Sequence, residues 1–535
     1  MEREFNTAGP IIAEDHYHIP PLSRFDLDEI ERLIYRKKYF ILHAPRQVGK
    51  TSYLLALTDY LNKQGKVRCL YMNVEIAQAA RENVNNAIPA IVGEMSQRAI
   101  RYLQDTFIQD NWGTIVNQFG AFSALNMLLT KWTQNSELPL VLFIDEIDSL
   151  VGDTLISVLR QLRAGYDKRP TEFPQSIILC GVRDIRDYRI HSDLEKTIIT
   201  GGSAFNIKAE SLRLDNFTRE EVHLLYQQHT DETSQVFTDA ALAQVWHLTN
   251  GQPWLVNALG NEVTYRMKEA RDRSLTITEE MVILAKERII RRRETHLDQL
   301  ADKLREDRVR RVINPMLQGI DLGDAALEDD LQYLVDLGLI TRNRAEGPQI
   351  ANPIYREIIP RQLTTITEAN FESMIRTAPY IQADGRLDME KVMTDFQQFY
   401  RENAEIWVER FLYKEAGPHL LMQAYLQRIV NGGGMISREY GLGRGRTDLL
   451  IYWPVNDVDR QRVVLELKVF RGKKPKTLDK HIQKGLEQTW QYMDRCGTDK
   501  GHLVIFDRTP DKSWGKKVFR RVETYQGHDI TVWGM

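Results

Sequence analysis

The sequence predicts a multidomain α/β chain whose first large unit is a parallel sheet carrying a phosphate-binding loop. Three observations predict it. A short apolar run from Tyr39 to Leu42 reads as a buried strand, and a loop containing Pro45 leads from it to Gly49, Lys50 and Thr51, which open an apolar-periodic helix. The stretch LPLVLFIDEIDSL, residues 138–150, reads as a central parallel strand buried on both faces and ending in two acids, Asp145 and Glu146. A length of 535 residues, 42% of them hydrophobic and 27% charged, suits roughly three or four globular domains with ample core.

The loop and the acidic strand belong to one expected site. Pro45, Arg46, Gln47, Val48, Gly49, Lys50, Thr51 and Ser52 form the nucleotide-binding stretch. Backbone N–H groups of the loop and of the helix start point at phosphates. Lys50 reaches the β and γ oxygens, and the Thr51 hydroxyl holds Mg²⁺. Asp145 binds Mg²⁺ through water, and Glu146 orients or deprotonates the attacking water. The usual first glycine of such a loop is Ala44 here. A fortuitous Gly-Lys-Thr at a helix start, or an acidic pair acting as a helix cap, is the plainer alternative for each half alone.

Taken in order, residues 1–36 form an N-terminal arm in which Tyr17, His18 and Ile19 could line an adenine pocket or simply pack. Residues 37–212 form the nucleotide-binding core. In it, SIILCGVRD leaves Arg183 just past a strand expected beside both the loop and Asp145. Arg160, Arg163 and Arg183 are all candidates for phosphate contact or for action on a neighbouring subunit, against the alternative of surface or salt-bridged arginines; Arg183 is preferred. Residues 213–300 turn helical, with Thr218 and Glu221 spaced as a capping box and a GQPW turn that puts Trp254 and Leu255 in a core. Residues 301–362 read as a winged helix. Glu328, Asp329, Asp330 and Asp336 would repel phosphates there, which favours a structural or protein-contact role. Residues 363–400 are a polar helical connector.

Residues 401–535 carry a second candidate site. On the strand RVVLELKVF, Glu466 and Lys468 are two apart and project to one face, while Leu465 and Leu467 point to the other. Asp448 precedes a strand separated from this one by a short polar link, so a hairpin would set it beside Glu466. Two carboxylates and a lysine on one sheet face are costly to bury unless a divalent metal joins them. Asp448 and Glu466 would hold Mg²⁺ or Mn²⁺, and Lys468 would position or activate the attacking water. Upstream, a helix could bring Glu415 to the metal. Downstream, Gln488 and Tyr492 lie one turn apart on a helix. Charged alternation on an edge strand is the structural alternative.

Charge and cysteine content bound the setting. The net charge of −3 says nothing about nucleic acid, but residues 401–535 hold 24 Lys/Arg against 17 Asp/Glu, which fits a polyanionic partner. Three scattered cysteines, Cys69, Cys180 and Cys496, offer neither metal spacing nor a disulfide framework and suit a reducing, cytoplasmic setting. No apolar run is long enough to span a bilayer.

The motifs carry resemblances. The loop, acidic strand and helical segment resemble an AAA+-like P-loop ATPase with its helical lid. The Asp448…Glu466-x-Lys468 pattern with Gln488-x-x-x-Tyr492 resembles the PD-(D/E)xK nuclease superfamily, an α/β restriction-endonuclease-like fold, in its RecB-like branch. As a whole the chain resembles bacterial AAA-like ATPases with a C-terminal PD-(D/E)xK domain. That resemblance implies ATP and Mg²⁺ as cofactors, DNA as the partner, self-assembly into a homo-oligomer, a protein activator, and work in phage defence or mobile-element biology. The alternative is a nucleotide-switched DNA- or protein-binding ATPase, like initiators, loaders or STAND proteins, whose nuclease-fold domain does not cut.

Overall fold

In the computed structural model, residues 2–184, 188–192, 197–200, 205–292, 294–317, 328–343, 347–371, 380–410, 416–430, 434–441, 446–456, 459–471, 475–509 and 512–535 are described. The chain divides into two compact units, Met1–Ile289 with Asp336–Gly338, and Ile290–Val335 with Leu339–Met535.

The first unit opens with helix α1 (Leu27–Tyr35), started by Asp26, whose carboxylate accepts from Glu29 N. Five parallel strands follow: β1 (Tyr39–His43), β2 (Arg68–Asn73), β3 (Leu140–Asp145), β4 (Ser176–Gly181) and β5 (Lys208–Arg213). Their order across the sheet is β2-β3-β4-β1-β5, so β4 lies between the loop strand β1 and the acidic strand β3. Alternate residues of β1 enter opposite cores, Tyr39 and Ile41 one of them, Phe40 and Leu42 the other. That double burial is why both strands read as continuous apolar runs rather than alternating ones. Each such side chain removed from water contributes about 1.5–3 kcal/mol. Helix α2 (Lys50–Gln64) follows the loop and ends on Gly65, which takes the left-handed conformation of a helix cap. Helices α3 (Val84–Leu103), α4 (Ala121–Gln134) and α5 (Gly152–Ala164) pack on the Tyr39 and Ile41 face.

Helices α6 (Arg219–Thr233), α7 (Asp239–Thr249) and α8 (Pro253–Asn261) follow the sheet. The Thr218 hydroxyl accepts from Glu221 N while Glu221 accepts from Thr218 N, a complete capping box. Trp254 and Leu255 are buried. The N-terminal arm threads into these helices. Phe5 packs on Tyr226, and the Tyr17 ring stands edge-on to His229. Tyr17 is therefore core of the helical segment, and the His18 backbone is tied to Gln228.

The second unit begins with α9 (Thr295–Lys303), α10 (Asp307–Leu317) and α11 (Glu328–Asp336), followed by the antiparallel hairpin β6 (Ile340–Asn343) and β7 (Gly347–Ile350). Two of the acids expected to repel phosphate are neutralised within the unit. Asp330, buried, pairs with Arg311 at 2.7 Å and Arg308 at 3.4 Å, and Glu328 pairs with Arg342. After α12 (Pro353–Phe371), α13 (Met389–Arg410) and the almost wholly buried α14 (Gly417–Val430) comes a six-stranded mixed sheet. Its strands are β8 (Met435–Gly441), β9 (Arg446–Pro454), β10 (Arg460–Phe470), β11 (Gly501–Asp507), β12 (Phe519–Tyr525) and β13 (His528–Gly534), in the order β8-β9-β10-β11-β13-β12. The first three are antiparallel, and β10, β11 and β13 run parallel. Helix α15 (Pro475–Cys496) packs through Ile482, Leu486, Tyr492 and Met493 on Leu450, Val464 and Phe470. Among the described residues no helix is long and apolar enough to cross a membrane.

Candidate functional sites

The loop after β1 is built to face an anion. Gln47 and Gly49 take left-handed backbone, at φ +58° and +103°. Ala44 does not, and its methyl packs with Val48 and Leu214, so no glycine is required there. Gly49 caps α2 without a side chain. Among the described residues none accepts a hydrogen bond from the backbone N–H of Gln47, Gly49 or Lys50. Unpartnered N–H groups at a helix start are anion ligands in waiting. The Lys50 ammonium, buried, folds back over the loop and donates to Ala44 O at 2.9 Å and Pro45 O at 3.0 Å. Arg46 and Gln47 are exposed at the tip, and the Ser52 hydroxyl accepts from Ile11 N.

The acidic strand meets this loop side-on. Asp145, with no exposed surface, accepts from Thr51 Oγ1 at 2.7 Å and Tyr71 OH at 3.0 Å on one carboxylate oxygen, and from Glu146 N at 2.9 Å on the other. The Thr51–Asp145 hydrogen bond sets a hydroxyl and a carboxylate side by side, the donor types that hold a hard cation directly or through water. Glu146, the residue after β3, has left-handed backbone, φ +57°. Burial, and then the neighbouring Asp148 carboxylate, hold its pKa above the ordinary glutamate range, with Lys50 opposing. Asp148 accepts from Val182 N at 3.0 Å, which ties the turn after β3 to the end of β4. Gly181 permits that approach, since a Cβ there would lie 2.4 Å from Asp148 Oδ1.

Of the three arginines, Arg183 lies two residues beyond β4, with its guanidinium 4.4 Å from the centre of the Tyr188 ring. Arg163 is exposed. Arg160 lines a cavity of about 480 Å³ between α4 and α5, walled by Phe119, Phe122, Met127 and Ile156, and no loop residue lines it.

In the second unit Asp448 and Glu466 are direct cross-strand partners on β9 and β10. Glu466, completely buried, forms a close ion pair with Lys468, itself nearly buried. Gln488 and Tyr492 are buried on α15. Phe470, two residues past Lys468, lies 5.7 Å ring to ring from His481, also on α15. His481, Gln488 and Tyr492 recur at seven- and four-residue spacing and so share a helix face. Glu415 lies outside the described residues.

Sequence reasoning missed Tyr71, Asp148 and His481. Asp148 carried a signal, a third acid one turn past Asp145. The others carried none.

A parallel sheet whose loop strand and acid-tipped strand flank a third, with a lysine and a threonine opening the helix after the loop, defines a P-loop nucleotide-binding fold. Residues 26–272 match the family model described as an AAA-like domain, and the N-terminal unit carries an AAA-like P-loop ATPase domain. Similar solved structures include the Walker-type ATPase PABY2304 of Pyrococcus abyssi, 16% identical, covering 66% of this chain and 99% of that one, TM-score 0.43. The ORC2 protein of Aeropyrum pernix is 14% identical, covering 63% and 91%, TM-score 0.35. The RuvB Holliday junction branch migration motor of Thermotoga maritima is 15% identical, covering 62% and 90%, TM-score 0.32. No curated protein matches the chain.

Proposed function

We propose that the chain binds and hydrolyses ATP with Mg²⁺ in its first unit, and that this cycle controls metal-dependent hydrolysis of DNA phosphodiesters by its second. The ATPase half rests on the Thr51–Asp145 contact beside a buried Lys50 and unpartnered loop N–H groups. Those N–H groups and Lys50 hold the phosphates, Thr51 and Asp145 hold Mg²⁺, and Glu146 orients or deprotonates the attacking water. The preferred γ-phosphate contact is Arg183.

The nuclease half is carried by one observation: Asp448 takes the position opposite Glu466, with Lys468 two residues on. A wholly buried glutamate with an ammonium beside it and a second acid across the strand is a donor set for Mg²⁺ or Mn²⁺. Such a metal lowers the pKa of bound water and offsets charge on the phosphate. Lys468 positions the attacking water, Gln488 and Tyr492 border the site from α15, and Glu415 is a further acid for it. DNA, a second copy of the chain and an activating protein are the partners this reading expects, in a cytoplasmic defence or mobile-element role.

The test is cleavage of linear, circular and single-stranded DNA with Mg²⁺ or Mn²⁺, with and without ATP, beside Glu466→Ala. Metal-dependent cutting abolished by Glu466→Ala supports the nuclease. ATP hydrolysis without cutting on any substrate favours a nucleotide-switched binding protein, or a nuclease that cuts only with its activating protein. Lys50→Ala is expected to abolish nucleotide binding, and Glu146→Gln to keep binding while stalling hydrolysis.

A further inference from the structure

Arg24 lies outside the phosphate and metal positions, yet it is heavily engaged beside the loop. Its side chain is 8% exposed and lies 3.9 Å from Glu221. Nη1 donates to Val48 O at 3.2 Å, and Nη2 donates closely to Asp215 O. Its guanidinium lies 4.5 Å from the centre of the Phe217 ring. One cation therefore spans two places: the loop, and the link 214–218 that joins β5 to α6.

Both contacts have consequences. A trans peptide is planar, with its C=O and N–H pointing opposite ways. A guanidinium holding the Val48 carbonyl on the outside of the loop thus holds the Gly49 N–H toward the inside. Gly49 needs that restraint, because its backbone at φ +103° is open to glycine's full freedom. A charged donor on the carbonyl also polarises the peptide and strengthens the N–H as a donor. At the other end, Glu221 divides its two oxygens, Oε2 accepting from Thr218 N to close the cap of α6 while Oε1 faces Arg24. Phe217 N donates to Gly251 O at 2.8 Å, which ties the link to the turn before α8.

We propose that Arg24 is a positioning residue that aims the Gly49 N–H at bound phosphate and couples occupancy of the loop to the link 214–218 and the helices behind it. The proposal rests on the reading of the loop as a nucleotide site. Phosphate entering the loop pulls on the Gly49 N–H, the peptide transmits the pull to Val48 O, and Arg24 passes it to Asp215 and Glu221.

The experiment compares the full chain with Arg24→Ala, Arg24→Lys and Lys50→Ala. It measures binding of a fluorescent ADP, the kcat and KM of ATP hydrolysis, melting without nucleotide, and nucleotide-dependent protection of 214–218 from protease. For Arg24→Ala we expect at least tenfold weaker ADP binding, a matching rise in KM with a smaller fall in kcat, and no protection of the link at saturating nucleotide. Arg24→Lys should recover part of the affinity. Wild-type binding and protection in Arg24→Ala overturns the proposal while leaving the site intact. Equal losses in Arg24→Ala and Arg24→Lys that track a drop in melting temperature also overturn it, by showing a purely structural role. Failure of the wild type to bind, indistinguishable from Lys50→Ala, removes the nucleotide site and the proposal together.

Discussion

Replacing Tyr71 with phenylalanine deletes one oxygen and leaves the ring that fills β2. That oxygen donates to Asp145 Oδ2 at 3.0 Å, and Tyr71 is 5% exposed. Burial, with the Asp145 carboxylate beside it, raises the phenol pKa, so the group stays a donor at any working pH. A hydrogen bond to a charged acceptor contributes about 1.5–3 kcal/mol. Asp145 keeps Thr51 Oγ1 and Glu146 N as donors, so the lower half of that range applies, about 2 kcal/mol. At about 1.6 °C per kcal/mol for a unit of about 290 residues, melting of the first unit should fall by roughly 3 °C. The carboxylate also loses a restraint that orients it toward Thr51. Loss of such an outer partner typically weakens metal binding or activity about 10–100-fold, so the Mg²⁺ concentration for half-maximal hydrolysis should rise about tenfold. Calorimetry without nucleotide reads the first effect, and a Mg²⁺ titration of hydrolysis reads the second. Unchanged melting together with unchanged Mg²⁺ dependence would show that the phenol does not hold Asp145.

Other outcomes follow from the same contacts. Gly181→Ala drives a Cβ to within 2.4 Å of Asp148 Oδ1; overpacking of this kind costs about 1–3 kcal/mol, visible as a lower urea midpoint, with hydrolysis falling alongside. Asp148→Asn keeps an acceptor for Val182 N but removes a negative charge that raises the Glu146 pKa. Glu146 then ionises at lower pH, and the acid limb of the hydrolysis profile should move down; a limb that stays put or moves up counts against Glu146 as the titrating base. In the second unit, His502 Nδ1 accepts from Trp533 Nε1 at 3.1 Å, and burial lowers the His502 pKa from 6.5 to about 4. The unfolded chain binds this proton first, so stability is full above pH 6.5 and falls as the pH drops toward 4, by up to about 3 kcal/mol. His502→Gln should flatten that slope in denaturation measured across the window, and an unaltered slope would assign it elsewhere.

How much of this was legible in the sequence depends on how far each feature's cause extends along the chain. The loop was legible because its parts are contiguous: a strand, a turn, and Gly49-Lys50-Thr51 opening a helix. The acidic strand was legible because double burial in a parallel sheet leaves a continuous apolar run, and only its C-terminal tip can carry charge. Asp448 opposite Glu466 followed from a short link between two strands, which leaves a hairpin as the simple connection.

Tertiary structure alone decided the rest. Arg24 meets Val48 and Asp215 across 24 and 191 residues, and Tyr71 meets Asp145 across 74. No local pattern encodes such partners, because hydrogen bonds between distant segments exist only once the sheet order has placed the segments together. The acids between Glu328 and Asp336 make the same point in reverse. By composition they would repel phosphate, but Asp330 is buried between Arg308 and Arg311, so its charge is already balanced inside the unit. Sequence determined which reactive residue types the chain carries and roughly where along its length. Packing determined which side chains are spent on holding the fold and which remain for a ligand, because a buried charge needs a partner and the fold supplies it.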